Sequence, residues 1–313
     1  LSQNKKQIYL LGPTASGKTE LAKYCMDHFS LEIISVDSAQ IYNYFDIGSA
    51  KPDKNELHCY PHRLINIINP DQSYSVAKFL IDCQQHIGEI YQNGKSPFLV
   101  GGTMMYFNAL SKPMNATPAS TKESRDYFNG LLANEGLPSL FERLKKVDPE
   151  YAKKINQADT QRILRALEVN YLSNKTLSSF HTQPQKVAES DHILKLALMP
   201  TDRKLLHERI ELRVDQMLAQ GFIEEVRTIL KLFKNIDDSH PAMRCVGYKQ
   251  IYLYLNNQIS KETLREKIIF ATRQLAKRQI TWLRQMDKLE VVDPFDEQLT
   301  IKVHDKISQF MDS

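Results

Sequence analysis

A chain of 313 residues, 42% hydrophobic and 25% charged, can bury a large core and is too apolar to stay disordered. Its longest apolar runs fall far short of the ~20 residues of a membrane span, and residues 1–6 lack the apolar stretch of a secretory signal, so a cytoplasmic location is expected. With 41 basic against 37 acidic side chains the net charge is only +4, so any case for nucleic acid must come from where the cations cluster.

In chain order, Gln7–Leu11 predicts a strand, residues 17–29 a helix and residues 32–36 a second strand. A helix over 75–93 and a strand over 97–100, ending in Gly101-Gly102, extend the alternation expected of a parallel sheet. Residues 112–121, with two prolines and several hydroxyl residues, predict a linker. Helices follow over 125–134, 137–147 and 161–172, with Pro138 and Pro149 at positions where helices can begin. A second linker is expected over 174–190. Ile193–Leu198 predicts another core strand, followed by helices over 203–220, 223–232, 247–255 and 261–284 and a short strand at Glu290–Val292. The cysteines, Cys25, Cys59, Cys83 and Cys245, form no CxxC pair, which argues against structural zinc and a disulfide framework.

Gly12-Pro13-Thr14-Ala15-Ser16-Gly17-Lys18-Thr19 matches GxxxxGK[ST] between a strand and a helix. Glycines permit a tight loop whose amides converge on phosphate oxygens, and the helix N-terminus adds its dipole. Lys18 is suited to neutralise a terminal phosphate and the Thr19 hydroxyl to bind Mg²⁺. The motif specifies a polyphosphate without saying which. A typical P-loop NTPase needs an Asp at the end of a second apolar strand to hold its Mg²⁺ through water. Phe98-Leu99-Val100 ends in Gly101-Gly102-Thr103 instead, and Val291-Val292-Asp293 lies far along the chain. ATP-driven motion is disfavoured, while a small-molecule kinase stays open. The fold class expected is α/β: a P-loop NTPase-like parallel sheet flanked by helices, with an inserted all-helical lobe.

Asp37 ends the second strand, where an open parallel sheet lines its ligand crevice. It suits either a turn former or a general base facing the loop.

Several stretches together resemble the tRNA dimethylallyltransferase (tRNA isopentenyltransferase) family: GPTASGKT at 12–19, ISVDSAQIY at 34–42, DIGSAKP at 46–52, PHRLINI at 61–67, LVGGTMMYF at 99–107, RILRALEV at 162–169, RCVGYKQ at 244–250 and ATRQLAKRQITWLR at 271–284. The resemblance spans nearly the whole chain in family order. It implies transfer of a dimethylallyl group from dimethylallyl pyrophosphate to N6 of the tRNA adenosine immediately 3′ of the anticodon, with Mg²⁺. The loop then holds a pyrophosphate leaving group. Asp37 falls at the family's general-base position and Arg213 at that of a pyrophosphate-contacting arginine; by its own pattern Arg213 reads as a solvated helix charge. No Cys/His zinc-finger pattern follows Arg284, which suggests a bacterial-type member. A monomer is expected.

The resemblance also assigns tRNA contacts to Asp37, Ser38, Ala39 and Gln40, to Thr103 and Arg125, and to Gln161, Arg162, Ile163, Leu164 and Arg165. Further contacts fall on Arg244, Cys245, Val246, Gly247, Tyr248 and Lys249, and on Lys277, Arg278, Gln279, Ile280, Thr281, Trp282, Leu283 and Arg284. Residues 1–111 and 191–313 would form the core, the latter with tRNA-binding helices, and 112–190 a tRNA-contacting helical insertion. Helical spacing places Arg273, Lys277 and Arg284 near one face with no acidic residue between them, suited to phosphate contacts. Leu275 and Trp282 are expected to pack inward, and Gly247 to let backbone approach a ligand.

Overall fold

Short, mostly apolar runs such as Gln7–Leu11 and Leu31–Val36 become the strands of one sheet. The computed structural model describes residues 5–111, 117–181, 191–238 and 240–313. In chain order they form β1 (Gln7–Leu11), α1 (Lys18–His28), β2 (Leu31–Val36), α2 (Lys54–Cys59), β3 (His62–Arg63), α3 (Val76–Gln92), β4 (Ser96–Gly101) and α4 (Met104–Leu110). There follow α5 (Lys122–Val147), α6 (Pro149–Ala152), α7 (Thr160–Ser173), α8 (Leu177–His181), β5 (Ile193–Leu198), α9 (Arg203–Ala219), α10 (Phe222–Leu232), α11 (Tyr248–Leu255), α12 (Lys261–Leu283), β6 (Glu290–Val292) and α13 (Leu299–Asp312). The chain divides into two compact units, Leu1–Ser111 with Glu189–Ser313, and Lys112–Ala188. Among the described residues no helix is long and apolar enough to cross a membrane.

In the first unit six strands pair in the order β3-β2-β4-β1-β5-β6, all parallel. A parallel sheet is covered on both faces, which is why its strands are apolar at successive positions. Ile8 and Leu10 of β1 pack with Leu21 and Cys25 of α1 and with Val303 and Ile307 of α13. Tyr9 and Leu11, pointing the other way, pack with Phe79, Cys83, Ile87 and Ile90 of α3 and with Phe107 of α4. The 4-4-3 spacing on α3 makes one continuous stripe, and Ser75 caps the helix by accepting from Lys78 N–H. Each such side chain, fully buried, stabilises the fold by about 1.5–3 kcal/mol. The register sets Leu11 and Val36 both opposite Gly101, and Leu11 opposite Ala197, so the strands end level and everything after them lies at one edge.

A separate cluster joins α9, α10, α11 and α12 to Ile41, Tyr42 and Phe45, which follow β2. At its centre the Tyr248 ring stacks on Phe45 at 3.8 Å and meets Phe222 edge-on at 5.0 Å. In the second unit the described regular elements are all helices, closing around Phe128, Leu140, Leu144, Ile163 and Ala166. The helix α5 breaks at Gly136, whose φ of 76° leaves the helical region, and Pro138 opens its second half.

Of the first expected linker, residues 117–121 have no regular structure and 112–116 lie outside the described residues. The second needs correcting: 177–181 form α8, anchored by buried Leu177, while 182–190 lie outside the described residues. Four further α-helices and strands were not expected. The helix α2 begins at an Asp53/Glu56 capping box, a signal written in the sequence. The helix α13 shows an i, i+4 apolar pair. The helix α4 follows directly on a Gly-Gly turn, and β3 is too short for periodicity to reveal.

Candidate active site

Leading from β1 into α1, the loop at 12–17 turns through Ala15 (φ 62°) and Gly17 (φ 83°), which caps the helix. Ser16 is 1% exposed and its Oγ has no hydrogen-bond partner. One loop amide is already engaged within the protein. Thr14 N–H donates to Gln279 Oε1 at 2.9 Å, and Gln279 Nε2 donates to Gly102 C=O at 2.8 Å. One buried amide from α12 thereby ties the loop to the end of β4. The tie requires glycine at 102, where a Cβ would come within 2.5 Å of Gln279 Nε2.

Lys18 Nζ donates to Gly12 C=O at 2.9 Å and to Pro13 C=O at 2.7 Å. Burial, then the neighbouring Arg213 guanidinium, push its pKa down to about 7, with Asp37 acting in the opposite direction. Arg213, reaching in from α9, is itself held below its ordinary value by burial, with Asp37 again opposing. It is not the solvated helix charge its local pattern suggests, because the apolar positions of α9 turn this face inward. Three charged groups from β2, α9 and the start of α1 therefore converge at the strand ends. Arg213 also walls a cleft of about 980 Å³ shared with Gln216 and Met217 of α9 and with Asp46, Lys51 and Asn66.

Asp37 fulfils the turn reading: its Oδ1 accepts from Ala39 N–H at 2.8 Å and Gln40 N–H at 3.2 Å. Those bonds fix the carboxyl against rotation, while its charge is felt by Lys18, Arg213 and Cys245, whose thiol burial pushes up to about 12 with Asp37 adding to the effect. Thr103 Oγ1 accepts from Ser38 N–H at 3.0 Å and lies 3.3 Å from Ser38 Oγ, binding the Gly-Gly turn to the segment after Asp37. Gln40 accepts from Ser35 Oγ at 3.0 Å, so its side chain braces β2 from within.

The residues expected to touch tRNA divide sharply by exposure. Gln161, Arg162, Arg125, Arg244, Lys249, Lys277, Arg278, Thr281 and Arg284 are exposed, and Leu164, Arg165, Cys245, Val246 and Ile280 are half-buried. Ile163, Tyr248 and Leu283 are each 0% exposed and belong to cores, so their side chains present no surface to RNA. Gln279, at 8%, is spent on the loop as described. Arg165 donates to Ser120 Oγ, Glu168 and Pro118 C=O, which makes it part of the second unit's own framework. Gly247 (φ 89°) admits Phe222, not a ligand: a Cβ there would lie 2.7 Å from the ring. Trp282 needs the opposite correction. It is 38% exposed, on a different side of α12 from the buried Leu283 that follows it. Leu275 is half-buried. Arg273 leaves the basic stripe by pairing with Glu211 of α9, an acid that helical spacing within α12 cannot reveal.

Two residues escaped sequence reasoning. Glu225 accepts from Ile47 N–H at 2.6 Å, Asp46 N–H at 3.1 Å, Gly48 N–H at 3.2 Å and Tyr248 OH at 2.7 Å, clamping the segment that walls the cleft. Tyr106 of α4 has its pKa raised by burial and, after that, by the charge of Asp37. No local pattern marks either. Among the described residues no group of three or more His, Cys, Asp or Glu side chains is arranged to hold a metal ion. A cation here would depend on the exposed Thr19 hydroxyl and on ligand oxygens.

Residues 40–286 match the family described as IPP transferase, and residues 6–69 match isopentenyl transferase. The chain is 46% identical over 302 residues to a tRNA dimethylallyltransferase of Nitrosomonas eutropha, covering 96% of this chain and 95% of that one. It is 46% identical over 310 residues to one of Legionella pneumophila, covering 99% and 98%. Among solved structures it resembles a tRNA isopentenylpyrophosphate transferase of Bacillus halodurans (31% identity, TM-score 0.71, 98% of this chain and 97% of that one). It also resembles a eukaryotic dimethylallyltransferase acting on tRNA (25% identity, TM-score 0.81, 97% and 80%). With a family match over most of its length and relatives aligned nearly end to end, the chain belongs to the IPP transferase family.

Proposed function

We infer that this protein is a tRNA dimethylallyltransferase, moving the dimethylallyl group of dimethylallyl pyrophosphate to N6 of the adenosine 3′-adjacent to the anticodon. The observation that carries the reading is the deep placement of Lys18 beside Arg213, whose like charge adds to burial in lowering the lysine's proton affinity, while burial also holds Arg213 below its ordinary value. Such a pair is unfavourable until an anion of high charge density lies between them, and a pyrophosphate is that anion.

As the allylic C1–O bond breaks, negative charge collects on the departing pyrophosphate, where Lys18 and Arg213 stabilise it. The N6 lone pair forms the new bond to C1, and the amine loses a proton. Asp37, fixed by its own turn, accepts it. Mg²⁺, when bound, adds Lewis-acid neutralisation of the pyrophosphate. The Thr19 hydroxyl is the protein ligand that fits, since Mg²⁺ is commonly held by few protein groups plus phosphate oxygens and water. Lys277, Arg278 and Arg284 on α12 supply phosphate contacts to the anticodon stem-loop, and the target base leaves its stack to reach N6. A tRNA substrate is in keeping with a cytoplasmic location.

Incubation with anticodon stem-loop RNA and dimethylallyl pyrophosphate should add one C5H8 unit to the RNA, read by mass spectrometry. Prenylation of free AMP with the RNA left unmodified would replace tRNA by a free adenylate, and consumption of ATP with no prenyl transfer would sink the reading altogether.

A further inference from the structure

One turn before Arg213 on α9 stands Arg209. Its guanidinium lies over the Phe295 ring at 4.6 Å from the centroid. Its Nη1 is 3.6 Å from where a Cβ on Gly17 would sit, at the entrance to α1. Among the described residues it has no carboxylate partner, unlike Arg265 and Arg273 nearby on α12, which pair with Asp215 and Glu211 of α9. The platform beneath it is built. Asp293, at the end of β6, accepts from Phe295 N–H at 3.0 Å through Oδ1 and from the Thr201 hydroxyl through Oδ2. Phe295 is in turn packed against the α9–α12 cluster. Asp293 is thus committed to shaping a turn, and the turn presents an aromatic face to Arg209.

An exposed arginine loses considerable side-chain entropy on binding, and one already laid flat on a ring loses less. A planar guanidinium oriented beside a phosphate loop is suited to two parallel bonds to a phosphate group. Arg209 and Arg213 are separated by one helical turn, about 6 Å along the axis, comparable with the length of a diphosphate. The Ser16 Oγ in the same loop is buried and has no hydrogen-bond partner within the protein among the described residues.

We propose that Arg209 is a second guanidinium for the pyrophosphate, gripping the phosphate farther from Lys18 and Arg213, and that Phe295 is its positioning residue. The proposal rests on the loop binding pyrophosphate as inferred above. It explains why α9 carries cations one turn apart with only the deeper one enclosed: the outer one closes over the leaving group at the mouth.

The test is titration calorimetry of inorganic pyrophosphate, with Mg²⁺, into the full chain. Arg209→Ala should weaken binding about 10-fold or more, the range for a charge-assisted bond, and Arg209→Lys should recover only part, because ammonium keeps the charge without the planar fork. Phe295→Leu should weaken binding about 3-fold in the native background, as expected for an exposed cation–π contact, and have no effect alongside Arg209→Ala. Unchanged affinity in Arg209→Ala, or a Phe295→Leu effect that persists without Arg209, overturns the proposal. If Lys18→Ala and Arg213→Ala also bind pyrophosphate like the native chain, the reading of the loop itself fails. If they weaken it while Arg209→Ala does not, only the role of Arg209 is lost.

Discussion

Because burial and Arg213 hold Lys18 at a pKa of about 7, pyrophosphate binding should be linked to proton uptake. In the free protein the ammonium is depressed, so it is mostly charged at pH 6 and mostly neutral at pH 8. A bound polyanion restores the charged form, and its pKa rises again. Uptake by Lys18 is then about 0.1 proton at pH 6, about 0.5 at pH 7 and about 0.9 at pH 8, from a single titration centred on 7. Refilling the proton weakens the intrinsic affinity about twofold at pH 7 and about tenfold at pH 8. The assay is calorimetry of dimethylallyl pyrophosphate in pairs of buffers that differ in ionisation enthalpy. The dependence of the observed heat on that enthalpy gives the protons taken up. Lys18→Arg supplies the control, since a guanidinium stays charged throughout this range and its uptake should vanish while binding persists. Equal uptake by the native chain and Lys18→Arg at pH 8, or none in the native chain, would show that Lys18 is not the depressed group and that its crowding with Arg213 is not what the ligand relieves.

Asp37→Asn should keep the local turn, since an amide oxygen can accept from the same two N–H groups, yet lower turnover by about two to four orders of magnitude. Turnover near the native rate would remove Asp37 as the base. Gln279→Ala strands a loop N–H and the Gly102 carbonyl, and should cost about 1–3 kcal/mol in urea unfolding while weakening pyrophosphate binding. An unshifted midpoint would contradict the tie. Trp282→Ala, at an exposed site, should change stability by less than about 0.5 kcal/mol but weaken tRNA binding roughly 5- to 100-fold if the ring stacks on a base. Loss of stability with unchanged tRNA affinity would return Trp282 to a packing role. Lys277→Ala should flatten the salt dependence of tRNA binding by about one counterion, and an unchanged slope would leave it a solvated cation.

The sheet and its phosphate loop were legible because their signals are local. Apolar runs such as Gln7–Leu11 and Ile193–Leu198 appear as strands with the expected bounds, and GPTASGKT sits between strand and helix as the motif demands. The elements that went unread were short, such as β3, or began at caps whose meaning is plain once sought, such as Asp53 with Glu56 before α2. Within the candidate site, single-helix periodicity misled wherever the partner came from another element. Arg213 looked solvated because nothing in α9 shows that its neighbours are Lys18 and Asp37, and Arg273 looked free because Glu211 is 62 residues away.

By itself, then, the amino-acid order determined the strand–loop–helix that carries the GxxxxGK[ST] motif, the carboxylate following the second strand, and the family to which these motifs are similar. Backbone hydrogen bonding and side-chain alternation act over a few residues, and that information is written in consecutive positions. Only the tertiary structure decided which charges share a buried space, that Gln279 and Glu225 are spent holding loops, that Trp282 faces water, and that Arg209 rests on Phe295. Burial and electrostatic coupling depend on distances through space between segments far apart in the chain, a quantity no local spacing contains.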